Sequence, residues 1–238
     1  MKTLVSISIL VFILSGFQSC NMVCKKGKGN IKTETRVISE FNQLEIKGQP
    51  QVILEQSVNQ SIRVSIDSNL IEYVKTEISG SKLKIFESRC LKEISDYKIF
   101  IATNTLKTIL INGSANLKCD SLFRTDKLTI NSEDAGSISF NADIEDLEVN
   151  VEGSGSVKLK GRTNNFKIEM ESAGSIEAIE LLSKNVDFNV SGAGTVEVNV
   201  SENLTGEASG SGKLFYRGNP RIVKTNNKGT GTIQTKVQ

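Results

Sequence analysis

Residues 147–159 read LEVNVEGSGSVKL, and the fold follows from this stretch. Leu147, Val149 and Val151 alternate with polar residues, a small run through Gly153, Ser154 and Gly155 follows, and Val157 and Leu159 resume the alternation. A period of two marks a strand buried on one face, and glycine with serine between two such runs marks a corner. The pattern then repeats. Phe166, Ile168 and Met170 lead through Ser172-Ala173-Gly174 to Ile176 and Ala178, and Val186, Phe188 and Val190 lead through Ser191-Gly192-Ala193-Gly194 to Val196 and Val198. Leu128 and Ile130 with Ile138 and Phe140 precede, while Leu204 to Tyr216 and Val223 to Thr235 follow. The first apolar residues after the corners are Leu117, Ile138, Val157, Ile176, Val196, Leu214 and Ile233, spaced by 21, 19, 19, 20, 18 and 19 residues.

Two short strands and a corner cannot bury an apolar face alone, whereas stacked copies can, each pairing its backbone with the next about 4.8 Å away. The sequence therefore predicts an all-β chain: a parallel β-helix-like solenoid of about 19 residues per coil over residues 109–238, roughly 30 Å tall for seven coils. Two inward columns are expected. One holds Ile109, Leu128, Leu147, Phe166, Val186, Leu204 and Val223; the other holds Cys119, Phe140, Leu159, Ala178, Val198, Tyr216 and Thr235. The corner glycines are expected to supply positive φ and to let coils approach closely. Residues 31–108 show less regular alternation and are expected to form broader first coils that also cap the stack, in one continuous domain with it. Within them, Ser68 is placed to cap a helical turn reaching Val74.

The N-terminal residues 1–19 read as an export signal: Lys2, then an apolar region of 11 residues from Leu4 to Leu14, interrupted only by Ser6 and Ser8. That run is too short for a bilayer core, which takes about 20 helical residues. Ser19-Cys20-Asn21 resembles the processing point of Bacteroidetes-type lipoproteins, which makes Cys20 the expected lipid-attachment residue; an ordinary cleaved signal is the alternative. Residues 20–30 are expected to be a flexible tether, with Lys25, Lys26 and Lys28 solvated or touching anionic headgroups.

With those residues in hand, the chain resembles the autotransporter-adhesin head (GIN) domain family over residues 36–233. The resemblance rests on Arg36 to Ile46 with Gly48, on the corners Gly153 to Gly155, Ser191 to Gly194 and Ser209 to Gly212, and on Leu214 to Pro220. It implies a right-handed parallel β-helix-like fold on the cell envelope and names no receptor, substrate or active site.

Composition narrows the function. The net charge of +2 lacks the concentrated basic face of a nucleic-acid binder. Without histidine, the commonest general base and metal ligand is missing. Cys24, Cys90 and Cys119 do not have zinc spacing, and Cys119 reads as a buried small hydrophobe. Whether a disulfide forms is open: an oxidising envelope allows Cys90 to pair with Cys119 or with Cys24 and leaves one of the three thiols over. Glu133, Asp134, Asp143, Glu145 and Asp146 form the densest acidic group, read first as a solvated face and second as a calcium site or a carboxylate pair for sugar chemistry. The Gly153-Ser154-Gly155 corner is not followed by a helix start and so is no phosphate loop. Phe100 and Phe215 should point outward. No catalytic residue, metal or cofactor is expected. The expected role is a non-catalytic envelope lipoprotein held to the outer membrane, facing the surface or the periplasm, and offering its solenoid to a protein or glycan partner. A polysaccharide-active β-helix enzyme and a periplasmic structural or envelope-stress module are the alternatives.

Overall fold

The computed structural model describes residues 24–236. The export signal and Cys20 lie outside the described residues. In chain order the first part contains β1 (Lys25–Lys26), β2 (Ile31–Arg36), β3 (Gln43–Gly48), β4 (Gln51–Gln56), β5 (Ser61–Asp67), a single 3-10 turn (Ile71–Tyr73), β6 (Val74–Ser79), β7 (Lys82–Glu87), β8 (Leu91–Lys92) and β9 (Tyr97–Thr103). The second part contains β10 (Thr108–Gly113), β11 (Asn116–Ser132), β12 (Ser137–Val151), β13 (Ser156–Met170), β14 (Ser175–Val190), β15 (Thr195–Ala208), β16 (Lys213–Arg217), β17 (Ile222–Asn227) and β18 (Thr232–Thr235).

From β10 onward the chain is a parallel β-solenoid. Each coil is one long bent strand running from corner to corner, paired in parallel with the coils on either side. The bend shows in the burial of β12: Ile138, Phe140, Ala142 and Ile144 point inward, Glu145 and Asp146 are both exposed, and the alternation restarts at Leu147. At that bend a polar ladder climbs the stack. Asn165 Nδ2 donates to Asp146 Oδ1 (2.7 Å), Asn185 Nδ2 to Asn165 Oδ1 (3.0 Å) and Asn203 Nδ2 to Asn185 Oδ1 (2.6 Å). Each amide thus satisfies the next at the coil spacing.

At the opposite bend stands a column of glycines: Gly136, Gly155, Gly174, Gly194, Gly212 and Gly231. The residue after each from Gly155 onward donates its N–H to the carbonyl of the glycine one coil back, as in Ser156 N to Gly136 O (3.0 Å), Ser175 N to Gly155 O (3.0 Å) and Thr195 N to Gly174 O (3.1 Å). At the start of the column Ser137 N donates to Ala115 O (2.9 Å). A Cβ on Gly194 would lie 2.4 Å from Gly174 O, and one on Gly231 would lie 1.9 Å from Gly212 O. At these two positions the neighbouring backbone is too close for a side chain, whereas at Gly212 the nearest backbone atom would lie 3.2 Å away and the first coil carries Ala115 at the equivalent place. Positive φ, expected at the corners, is absent from this column but present at other corner glycines such as Gly113 (φ 130°) and Gly210 (φ 81°).

The first part supplies two further layers, but not in sequence order. β3 and β4 lie directly beneath β10 and the start of β11, and β7 and β9 lie beneath β3 and β4. The chain therefore lays down the second layer first, turns back for the first, and crosses to the third through Leu106, which is fully buried. Lys107 N secures that crossing on Asn42 O (2.7 Å). Antiparallel strands close the bottom: β6 covers β7, β5 covers β9, and β2 covers β5. The 3-10 turn links β5 to β6 beneath the stack, with Leu70, Ile71 and Val74 buried as its plug. Leu70 occupies its N-cap position with no side-chain cap, so Ser68 does not play the expected part. Ser68 instead donates its backbone N–H to Asn30 O (2.7 Å).

Two expectations shift in register or exposure. Ile109 pairs with Ile130, not Leu128. The column from Leu128 onward is otherwise continuous through Leu147, Phe166, Val186, Leu204 and Val223. Val223 is 47% exposed, because β17 has no further coil above it among the described residues. Cys119 does lie buried in its column, stacked on Phe140, and its burial pushes the thiol pKa up to about 11.

The flexible tether expected over residues 20–30 is not what residues 24–30 form; residues 20–23 lie outside the described residues. Cys24 is disulfide-bonded to Cys90, β1 pairs with β8, and the backbone N–H of Gly29 donates to the Asp67 carboxylate. Closing a loop of this sequence separation, 66 residues, stabilises the fold by about 4 kcal/mol in the chain-entropy account. Asp67 is fully buried and also accepts from Ser95 N (2.9 Å) and Ser95 Oγ (3.2 Å). Burial opposes its charge, but the donors from Ser95, Gly29 and Lys28 outweigh that and hold its carboxyl below the usual range.

Two outcomes are expected. Gly194→Ala should destabilise the protein by about 1–3 kcal/mol in urea unfolding, while Ser154→Ala at an exposed corner tip should change it by no more than about 0.5 kcal/mol. A lowered folded-state pKa means the Asp67 contribution is complete above the ordinary carboxylate value, about 4, and is lost as pH falls through the lower folded value. Wild type should therefore lose more stability than Asp67→Asn between neutral and strongly acidic pH. Parallel pH curves for the two would remove Asp67 from that role.

Candidate functional site

Coil lengths differ, and the differences are absorbed in one place. The irregularities of register fall between Cys119 and Phe123, Lys158 and Lys160, Ala178 and Leu182, and Ser183 and Asn185. All lie on the arc between the glycine corner and the polar ladder, which keeps both of those aligned. Bulges re-aim side chains and loosen pairing, and along this arc they leave a groove of about 730 Å³ spanning β11 to β15.

Three charged residues, one from each of three successive coils, define its floor. Arg124, Asp143 and Arg162 are register partners. Arg162 donates from Nε to Asp143 Oδ1 (2.6 Å) and from Nη2 to Oδ2 (2.8 Å), and Arg124 donates from Nε to Oδ2 (3.2 Å). Gln56, from a layer below, fixes the Arg124 backbone by accepting from its N–H (2.9 Å) and donating to its carbonyl (2.7 Å). The Asp143 side chain is 18% exposed, but those of Arg124 and Arg162 are 66% and 72% exposed. Asp143 thus orients two guanidiniums whose remaining N–H donors face solvent. The hydrogen bond and charge of Arg162, with those of Arg124, hold the Asp143 carboxyl below its usual range, and Asp143 in turn raises Arg162.

Further along, the groove is lined by Lys184, Asn199 and Ser201, and by Leu182, which is 62% exposed. Thr163 contributes no free hydroxyl proton, since its Oγ1 lies 3.1 Å from Glu145 O and 3.0 Å from Asn165 O. The Ser201 hydroxyl likewise donates to Ser183 O (3.3 Å), and Asn199 Nδ2 to Ile179 O (3.2 Å). The surface therefore presents cationic forks and an ammonium to an elongated ligand, with Asn199 and Ser201 adding side-chain oxygens as acceptors. Asp143, ionised and doubly engaged, is poorly suited to proton transfer. Glu87, whose carboxyl is pushed up by burial, accepts from Gln49 N (3.2 Å) in the capped part of the stack and takes no part in the groove.

The acidic group picked out in the sequence is dispersed by the fold. Glu133 accepts from Asn112 Nδ2 at the glycine corner, Asp143 lies in the groove, and Asp146 begins the polar ladder. Among the described residues no three His, Cys, Asp or Glu side chains converge as metal ligands would. Of the two disulfides open to Cys90, the structure has the bond to Cys24. Phe100 is half-buried beneath the Arg63 guanidinium, 5.0 Å from its ring centroid, and Phe215 is half-buried on β16. Arg124 and Arg162 were not picked out in the sequence; their signal was a spacing of 19 residues on either side of Asp143.

None of the curated proteins matches this chain in sequence. Solved structures share its fold. A "putative adhesin" of Bacteroides fragilis NCTC 9343 is 24% identical, with a TM-score of 0.85 over 89% of this chain and 99% of its own. A "putative lipid binding protein" of Parabacteroides distasonis ATCC 8503 is 24% identical, with a TM-score of 0.77 over 89% and 99%. A "putative adhesin" of Parabacteroides merdae ATCC 43184 is 22% identical, with a TM-score of 0.73 over 89% and 98%. The family model described as "Putative auto-transporter adhesin, head GIN domain" matches residues 40–220, and the chain belongs to that family.

Proposed function

We propose that this chain is a non-catalytic binding module of the cell envelope, attached to the outer membrane by a lipid on Cys20, whose solenoid takes an acidic glycan along the groove. The observation that carries the reading is the Arg124–Asp143–Arg162 triad. Its carboxylate aims two exposed guanidiniums along the solenoid axis, two coils or roughly 10 Å apart. Planar guanidinium forks match carboxylates in bidentate geometry. Lys184 extends the same stripe with an ammonium. The side-chain oxygens of Asn199 and Ser201, each with a donor engaged by a backbone carbonyl, remain to accept from sugar hydroxyls. A peptide partner would call for apolar or aromatic anchors, and Leu182 is the one large exposed apolar residue in the groove. The adhesin descriptions of the family and of structural relatives support a binding role, and the Ser19-Cys20-Asn21 signal supports the anchor.

The test uses polygalacturonate as the acidic probe and dextran as the neutral one. The full chain should bind polygalacturonate in preference to dextran, and Arg124→Ala with Arg162→Ala should weaken that binding by at least about tenfold, the equivalent of roughly 1.4 kcal/mol. Equal retention of both polymers, or binding untouched by the double substitution, would discard the groove. Release of new reducing ends, abolished by Asp143→Asn, would favour the polysaccharide-active enzyme instead. Protease shaving of intact cells reads the orientation: loss of the protein places it on the surface, and protection places it in the periplasm.

A further inference from the structure

We infer that the capped end of the solenoid is a membrane-docking face that seats on anionic lipid headgroups, so that the rod stands away from the bilayer. This goes beyond the groove and rests on the lipid anchor proposed above. The first observation is covalent. Cys24, four residues after Cys20, is fixed to Cys90, between β7 and β8 in the lowest layer. Four residues of chain span at most about 14 Å. A lipid on Cys20 therefore brings this end of the rod, and not its far end, to the headgroups.

The second observation is the chemistry of that end. Lys25, Lys26 and Lys28 are exposed on the docked N-terminal strip. Parallel pairing sets Lys26 beside Lys92, and Arg89 adjoins the disulfide. Lys25 Nζ lies 5.8 Å from the centroid of the Tyr73 ring, which locates the strip against the 3-10 turn that plugs the stack. Facing these five cations are Glu93, paired to Lys26 at 2.8 Å, Glu72 on the turn itself, and the buried Asp67 carboxylate that holds the strip from beneath. Five cations against three carboxylates, one buried and two exposed, leave the patch a cationic excess of two, and all five cations reach solvent.

The third observation is that charge is divided along the rod. Residues 24–107 carry 14 Lys and Arg against 10 Asp and Glu, a net +4, whereas residues 108–236 carry 14 against 17, a net −3. The near-neutral total conceals a positive base and a negative shaft. An anionic surface attracts the first and repels the second, which gives an upright orientation in addition to attachment. Docking strips the solvated-linker role from Lys25, Lys26 and Lys28, because their backbone is held in place by the disulfide, the pairing with β8 and the Asp67 clasp.

The experiment uses the full chain carrying Cys20→Ser, so that no acyl chain tethers it, and two vesicle compositions: phosphatidylcholine alone, and phosphatidylcholine with about a third phosphatidylglycerol. Any affinity of the apolar residues 4–14 for bilayers is common to both, so the ratio of the two partition coefficients reads the headgroup charge. That ratio should be at least about tenfold in favour of the anionic vesicles, given the contribution of each basic residue near such a surface, and should collapse at high salt. Reversing Lys25, Lys26, Lys28 and Lys92 to Glu should bring it to about one. Reversing the shaft residues Lys158, Lys160, Lys167 and Lys213 to Glu should leave it above about fivefold. A ratio near one for the parent chain, or equal losses from base and shaft reversals, overturns the inference. Should the base-reversed chain unfold, the salt response of the parent chain and the shaft reversal still decide the matter. Acylation of Cys20 is read separately from the mass of the N-terminal peptide of the membrane-extracted protein, so an absent lipid and an inert base give different results.

Discussion

Two backbones passing a corner at the coil spacing leave no room for a Cβ, and the remainder of the solenoid is built on that approach. Where the carbonyl of Gly174 sits 2.4 Å from the place a side-chain carbon on Gly194 would occupy, a larger residue must push the coils apart. The N–H of Thr195 would then lose its bond to Gly174 O. A repeat stack couples each unit only to its neighbours, so an opening at one corner is not compensated from elsewhere. The polar ladder on the opposite bend needs the same spacing, since an amide reaches the next amide only at a single coil's rise.

Those two aligned edges explain why the arc between them is free to vary. A coil with an extra residue must place it somewhere, and neither a glycine column nor a ladder of hydrogen-bonded asparagines tolerates an offset. The bulges accordingly gather between them, around residues 119–123, 158–160 and 178–185. Irregular backbone is also where side chains are turned out of the inward–outward alternation. The groove with Arg124, Asp143 and Arg162 is thus a consequence of how the solenoid accommodates unequal coils. The constraint that makes the stack rigid also determines where it can be diversified.

The architecture was legible because inward positions of successive coils are chemically alike and recur at nearly constant intervals. What stayed hidden has identifiable causes. Ile109 was aligned with Leu128 and belongs with Ile130, an error of two residues. A strand pattern with period two is unchanged by a shift of two, so alternation alone cannot fix that register. The partner of Cys90 and the docking of residues 24–30 depend on layers laid down out of order, which a search for successive repeats does not reveal. The acidic residues were grouped by closeness in sequence. In a solenoid the relevant neighbour is one period away: Asp143 meets Arg124 and Arg162, each 19 residues distant, more directly than it meets Asp146. Positive φ accounts for the corner glycines Gly113 and Gly210, and close approach of the neighbouring backbone for Gly194 and Gly231.

The base and the last described coil differ in their physics. At the base, strands reverse direction, a 3-10 turn plugs the core with Leu70, Ile71 and Val74, and a disulfide clasps the outside. At the far end the fold continues unchanged and the chemistry alters. The inward column that runs through Val151, Met170, Val190 and Ala208 arrives at Asn227, the neighbouring one passes from Phe188 through Gly206 to Thr225, and Tyr216 is followed by Thr235. Lys224 and Lys228 stand exposed on and beside the final edge strand. Val223 and Ile233 keep two other inner columns apolar at this edge, and Val223 is 47% exposed, so the polar positions and lysines discourage further pairing only in part. With the base closed by reversed strands, the long sides of the solenoid are left as usable surface. That is where the unequal coils put the groove.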